Sequence, residues 1–172
     1  MSTEGFQKII SASVADRADL FLTTANRLGA PLINIEKDFW VCWTLNALYH
    51  RLPAGGPRLL FKGGTSLSKA YGLIDRFSED IDVTVFCDDL GHGETPEALA
   101  ALSGKKRKAA IEAIQNDCQA YITGPLFEAL SLLIVEDTGG EGWCALISTM
   151  RMASILHGAR AVAQTVCRFR LT

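Results

Sequence analysis

Hydrophobic residues recur at helical spacing through the first third of the chain. Over residues 6–27 they repeat every three or four positions, which predicts one amphipathic helix ending at Gly29. A second helix is predicted from Asn34, a good N-cap residue, to about Leu52. Hydrophobic residues cover most of its surface, which indicates a buried helix. The proline- and glycine-rich stretch 53–57 is then a turn.

The pattern changes at residue 58 to short hydrophobic runs. Residues 58–62 predict a buried strand, residues 65–73 a helix, and residues 81–86, rich in valine and isoleucine, a second strand. Residues 96–135 are predicted to be mostly helical, with an interruption at a Gly-Pro pair. This order of elements predicts an α+β fold in which a small mixed sheet is flanked by helices.

Composition excludes several classes of protein. The 172 residues include 17 Lys+Arg and 19 Asp+Glu, a net charge of −2, whereas domains whose whole surface binds nucleic acid are usually strongly basic. The five cysteines form no C-x-x-C pair, and the three histidines lack ligand spacing, so we expect free thiols and no zinc site. With no signal peptide, and an apolar stretch at 126–135 too short to span a bilayer, we expect a cytoplasmic protein without a membrane partner.

The first chemical motif is a pair of glycines between a strand and a helix. Gly63 and Gly64 follow the first predicted strand, and Thr65 and Ser66 begin the helix. Glycines let the backbone approach an anion closely, and the first N–H groups of a helix point toward it. Either hydroxyl can cap the helix or bind a phosphate oxygen. The motif predicts a phosphate loop, although an isolated Gly-Gly pair is more often a simple turn.

The second motif is a pair of aspartates. Asp80 and Asp82 lie two residues apart at the start of the second strand, so both side chains should face one side while Ile81 and Val83 enter the core. Two carboxylates bind Mg²⁺ well when a triphosphate supplies the other oxygens, and two ions about 3.5–4 Å apart promote hydroxyl attack on phosphorus. On its own, such a pair is usually a solvated strand end.

The two motifs together indicate nucleotidyl transfer. We expect the two strands to be parallel neighbours, which would bring the glycines and the aspartates to one edge of the sheet. The P-loop pattern of Walker-type NTPases is absent. A metal phosphoesterase is a weaker alternative.

The combined block is similar to a known family. It reads GGTSLSKAYGLIDRFSEDIDVTV, and it resembles the signature of the AbiEii/AbiGii toxins, a branch of the DNA polymerase β-like nucleotidyltransferases. Residues 35–48 resemble the N-terminal helix of that family. The resemblance implies a toxin of a toxin–antitoxin or abortive-infection system with a nucleotidyltransferase-like core. It would use Mg²⁺ or Mn²⁺ to transfer a nucleotide from an NTP to a hydroxyl of RNA, such as transfer RNA, or of protein, and it would have a cognate antitoxin.

The resemblance also implies roles for individual residues. The catalytic metal ligands would be Asp80 and Asp82, and the nucleotide-binding residues would be Gly63, Gly64, Thr65, Ser66, Lys69, Arg76 and Ser78. Arg76 could instead pair with Asp75 or Glu79, and Lys69 could simply be solvated. The pair Lys37-Asp38 matches a K-D of the family without a secure role.

The resemblance ends in the last part of the chain. Family members are longer and carry a further carboxylate on a later strand, followed by G-A-R. Residues 158–160 are Gly-Ala-Arg, but hydrophobic residues precede them, and no Asp or Glu follows Glu141. We therefore expect a nucleotidyltransferase-like domain at 1–136, with N-terminal helices at 6–52 and a core at 58–135, and an incomplete, atypical tail at 137–172. A truncated gene, a frameshift near residue 136 or a degenerate copy would each explain the atypical tail. The alternative function is that of a catalytically inactive relative, which binds only nucleotide or antitoxin.

Two further features have structural and functional interpretations. Trp40 and Trp43 are expected to pack in the core rather than to stack on bases. The basic run Lys105-Lys106-Arg107-Lys108 is expected to be a solvated helix start, or else a site that attracts an RNA backbone.

Overall fold

A small antiparallel sheet lies beside a set of helices in the computed structural model, which describes residues 3–73 and 80–140 and the backbone of 166–171. The N-terminal helices are α1 (Thr3–Ile10), α2 (Val14–Leu28) and α3 (Leu32–Asn46), and a π-helical turn, Ala47–Arg51, extends α3. The strands are β1 (Leu59–Lys62), β2 (Ile81–Phe86) and β3 (Val166–Leu171), with α4 (Gly63–Lys69) after β1 and a 3-10 turn, Cys87–Leu90, after β2. The later helices are α5 (Pro96–Ala101), α6 (Gly104–Tyr121) and α7 (Phe127–Thr138), and a π-helical turn, Ile122–Leu126, joins the last two. The α+β class is confirmed.

The first predicted helix is two helices. Ser13 interrupts it, because its side-chain oxygen accepts the N–H of Asp16 at 3.1 Å and so caps the start of α2. Gly29, with φ 62°, ends α2 as predicted. The predicted N-cap at Asn34 is wrong by three residues: Pro31 is the N-cap of α3, and its carbonyl accepts the N–H of Asn34 at 3.0 Å.

Aromatic side chains form the centre of the helical layer. Phe39 lies within 5.6 Å of the Phe6 ring centroid and 5.5 Å of the Phe21 centroid, so one residue of α3 joins α1 and α2. Trp40 and Trp43 are 5 % and 2 % exposed, which confirms that both pack in the core. Such rings contribute large buried apolar areas and geometry-specific contacts.

Helices α6 and α7 form one continuous helix, because the expected interruption at Gly124-Pro125 is a π-helical turn. One side of it is buried at every fourth position: Ile114, Cys118, Ile122, Leu126, Leu130 and Ile134. The stretch 126–135 thus belongs to a 35-residue helix that is long and apolar enough, by length and composition, to cross a membrane. Helices of soluble proteins can meet the same criteria, and a single buried stripe is what a helix presents when one side packs on a hydrophobic core.

The sheet differs from the prediction. Its order is β1-β2-β3, and both pairs are antiparallel, so the parallel pairing and the mixed sheet are wrong for the described strands. Antiparallel pairing puts the start of β2 beside the end of β1. Lys62 consequently pairs with Asp82. A parallel pair would have put the glycines and the aspartates at opposite ends of the strands.

A buried ionic contact fixes the end of α7. The Asp137 side chain has no exposed surface; it accepts the Trp43 Nε1–H at 2.7 Å and an Arg51 N–H at 2.9 Å. Burial alone would raise the pKa of Asp137, but the hydrogen bonds from Arg51 and Trp43 outweigh it and lower that pKa below the ordinary value. The proposed division at residue 136 stays a prediction, although α7 runs through it.

Removing this carboxylate should destabilise the protein. We expect Asp137→Asn to lower the free energy of unfolding by about 3 kcal/mol near neutral pH, because Arg51 keeps only Glu136 as an ionic partner. A carboxyl whose pKa is lowered by folding stabilises above its unfolded pKa of about 3.9, and that stabilisation is lost as pH falls through the folded value. Urea unfolding of both proteins from pH 7 to pH 3 should therefore show a difference that shrinks below about pH 4.

The control for that experiment is Glu136→Gln, whose side chain is 66 % exposed and whose contact with Arg51 is longer. Its effect should stay below about 1 kcal/mol. A destabilisation by Asp137→Asn that does not change with pH would contradict the ionic explanation.

Candidate functional site

The two sequence motifs meet where β1 ends and β2 begins. The pairing of Lys62 with Asp82 places Gly63, the next residue, beside the Asp82 side chain. A Cβ added to Gly63 would overlap Oδ2 of Asp82 and lie 3.1 Å from its Cγ, and Gly63 has a left-handed φ of 77°. Only glycine suits both conditions. The predicted phosphate loop is therefore in direct contact with a predicted metal ligand.

Strand β2 holds Asp82 rigidly. Ile81, Val83 and Val85 are at most 2 % exposed and lie in the hydrophobic core, as the alternation predicted. Asp82 and Thr84, at the intervening positions, are 8 % and 2 % exposed, so the second side of the strand is covered as well. The carboxylate thus lies in a site of low water content, where charge interactions are strong.

The hydroxyls of Thr65 and Ser66 hold the turn together. Thr65 is 1 % exposed, and its Oγ1 donates to the backbone carbonyl of Asp80. The Ser66 Oγ donates to the carbonyl of Gly63 at 2.8 Å. A hydroxyl has a single proton to donate, so in this arrangement Thr65 links the loop to Asp80 and Ser66 closes the turn at Gly63. Their contact with nucleotide stays a prediction.

Lys69 has a partner that sequence reasoning missed. Its Nζ pairs with Oδ1 of Asp38 on α3, and 27 % and 35 % of the two side chains are exposed. The residues are 31 positions apart, so no local spacing signals the contact. The only hint in the sequence is the K-D that matched the resembling family. Lys69 is therefore partly buried, and the Asp38 carboxylate is its counter-charge in this arrangement.

The predicted metal ligands are Asp80, which is partly buried just before β2, and Asp82. Among the described residues, no group of three or more His, Cys, Asp or Glu could hold a metal ion. Two carboxylates suit Mg²⁺ that takes its remaining ligands from water and substrate phosphates. Arg76 and Ser78 lie outside the described residues, and their roles stay predictions, as does that of Gly64 in α4.

Two other features lie apart from this site. A cleft of about 490 Å³ between the loop 53–57, Tyr49 and Tyr121 contains none of the candidate residues. The basic run at 105–108 is exposed in the first turn of α6, where Lys108 pairs with Glu112 at 3.7 Å. Its exposure agrees with a solvated helix start, and a role in RNA binding stays a prediction.

A comparison with protein-family models shows which family the chain belongs to. The model for the nucleotidyl transferase AbiEii toxin, type IV toxin–antitoxin system, matches residues 46–131, half of the chain. The chain belongs to the AbiEii family. The matched region contains the glycine turn, both aspartates and strands β1 and β2. No curated protein and no solved structure matches the chain.

Membership in the AbiEii family confirms the resemblance carried by the glycine and aspartate motifs. It indicates a nucleotidyltransferase toxin, and a type IV toxin–antitoxin system implies a cognate antitoxin. The family description names no nucleotide, acceptor or metal.

The close packing of Gly63 on Asp82 can be tested with a matched glycine. Gly91 has a φ of 86° and nothing within 4 Å of the place where a Cβ would lie. We therefore expect Gly91→Ala to lower the free energy of unfolding by about 1–2 kcal/mol, the cost of the left-handed backbone without any overlap. We expect Gly63→Ala to cost about 1–3 kcal/mol more, because the new methyl group also overlaps the Asp82 carboxylate. Urea unfolding measures both losses, and equal losses would contradict the packing described here.

Proposed function

We propose that this AbiEii-family protein is a Mg²⁺-dependent nucleotidyltransferase toxin. It transfers a nucleoside monophosphate from an NTP to a hydroxyl of RNA, with transfer RNA the first candidate, or of protein. Mn²⁺ is an alternative metal. The observation that carries the proposal is the contact between the Gly63 backbone and the Asp82 carboxylate, which joins a phosphate loop to a metal ligand. Its substrates place it in the cytoplasm, with the cognate antitoxin as its partner.

The chain's own residues bind and orient the reactants. Asp80 and Asp82 would hold the metal, which when bound supplies positive charge to the triphosphate and to the attacking hydroxyl. The absence of a side chain at Gly63 lets Asp82 pack against the loop, and Gly64 would let phosphate oxygens approach the backbone closely. Arg76 would add a positive charge from the sequence segment that follows α4. The acceptor oxygen bonds to the α-phosphorus, the P–O bond between the α- and β-phosphates breaks, and pyrophosphate leaves.

A second function, binding without turnover, is favoured by β3. Its register places Arg170 opposite Asp82 and Arg168 opposite Thr84, so the strand beside β2 brings basic positions and no carboxylate. No Asp or Glu follows Glu141 in the sequence. Under this alternative the chain binds a nucleotide or the antitoxin and transfers nothing.

Nucleotide transfer decides between the two functions. The purified protein is incubated with Mg²⁺, total RNA and each α-labelled NTP in turn, and label is measured in RNA and in protein. We expect Asp80→Asn and Asp82→Asn each to reduce incorporation about 100-fold or more, because a metal-ligand contact is worth several kcal/mol in the transition state. Chelation of the metal should have the same effect.

The matched control is Asp88→Asn, an aspartate just past the other end of β2 whose side chain is 70 % exposed. It should keep wild-type activity. NTP binding without incorporation would support the second function, and release of phosphate rather than pyrophosphate would indicate a phosphoesterase. Equal activity of all three variants would contradict the site.

A further inference from the structure

Helix α4 carries the phosphate loop but lacks a hydrophobic anchor. Its buried residues are Thr65 and Ser66, both of which bear hydroxyls. Leu67 is 39 % exposed, and Tyr71 and Leu73, which follow the helix, are 70 % and 72 % exposed. A seven-residue helix is too short to be stable on its own. Polar contacts must therefore set where α4 lies.

Within the part of the chain that the structure describes, polar contacts hold α4 near both of its ends. Near its start, Thr65 donates to the carbonyl of Asp80, just before β2. At its end, the Lys69 ammonium pairs with Asp38 on α3. Thr65 and Lys69 are four residues apart, so they share one face of the helix. The helix is thus tied to the sheet at one end and to the helical layer at the other.

Asp38 is well placed to act as the fixed half of the second contact. The next two residues, Phe39 and Trp40, are 7 % and 5 % exposed and belong to the aromatic core. The backbone of α3 at Asp38 therefore has little freedom. Lys69, on a long flexible side chain, adjusts to it. The ion pair transfers the rigidity of the core to the end of α4.

We infer that Asp38 is a positioning residue which, through Lys69, holds α4 and the Gly63 turn in place against β2. The catalytic consequence rests on the proposed function, whereas the structural consequence does not. A partly exposed ion pair adds little to global stability, so its loss should loosen α4 without unfolding the core. A competing role for Lys69 is direct binding of phosphate, with Asp38 as a counter-ion in the absence of nucleotide.

Hydrogen–deuterium exchange tests the structural consequence on the free protein. The variants are Asp38→Asn, Lys69→Met and the charge exchange Asp38→Lys with Lys69→Asp. The control is Glu112→Gln, which removes the charge of an ion pair on α6. We expect the two single variants at the pair to speed exchange of the amides in 66–73 about fivefold, with α3 and β2 unchanged. The charge exchange should restore the wild-type rate, and the control should not change it.

Unchanged exchange in 66–73 for both single variants would overturn the inference, whatever the protein binds. Faster exchange throughout the chain would also overturn it, because the pair would then support the whole fold. This arm needs no nucleotide, so it decides the inference even if wild-type protein binds none of the four Mg·NTPs and the proposed function fails.

Nucleotide binding and turnover test the catalytic consequence. We expect Asp38→Asn and Lys69→Met to weaken Mg·NTP binding and raise KM by a similar factor, about fivefold, with a smaller change in kcat. The charge exchange should recover affinity, because it rebuilds the contact with the signs reversed. A different outcome would overturn the positioning role. Lys69 is a phosphate ligand if Lys69→Met weakens Mg·NTP binding while Asp38→Asn does not, and if the charge exchange does not restore affinity.

Discussion

The antiparallel pairing of β1 with β2 is the constraint on which the rest of the site depends. It puts Lys62 opposite Asp82, so that the next residue in the chain must pass the aspartate side chain. That residue is Gly63, with no Cβ and a positive φ, and its backbone packs on the carboxylate. The predicted phosphate loop and a predicted metal ligand are brought together by one register. Shifting the register by one residue would turn Asp82 to the other face of the sheet.

The helical layer gives this arrangement a rigid base. Phe39 joins the first two helices, and Trp43 reaches across the layer to the buried carboxylate of Asp137 at the end of α7. Arg51, in the turn that extends α3, pairs with the same carboxylate. The elements that carry the chemistry are less well anchored than this layer, since α4 buries only hydroxyl-bearing residues. Rigidity in the core and polar attachment at the loop are compatible with a site that must admit a triphosphate.

The family relationship and the geometry address different questions. Membership in the AbiEii family indicates a nucleotidyltransferase toxin, and the matched region spans the glycine turn and the aspartates. The geometry explains why these motifs work as a unit. It also shows that β3 places arginines opposite Asp82 and Thr84 in the register of the sheet.

The sequence by itself determined the local elements and the candidate residues. Alternation of valine and isoleucine predicted β2 with its bounds, and Gly29 predicted the end of α2. The apolar surface of α3 predicted that this helix is buried. Each of these features follows from residues that are neighbours in the sequence. Local signals failed at two places. Hydrophobic periodicity predicted one helix where the cap at Ser13 separates two, and the Gly-Pro pair predicted an interruption where a π-helical turn at Pro125 continues the helix.

Only the tertiary structure decided how those elements meet. The antiparallel direction of the pairing, the contact of Gly63 with Asp82 and the ion pair of Lys69 with Asp38 each join residues that are 19 to 31 positions apart. Nothing in the local pattern encodes them, because the spacing of hydrophobic residues fixes which face of an element is buried but not which neighbour covers it. The antiparallel pairing of β1 with β2 brought two sequence motifs to one place.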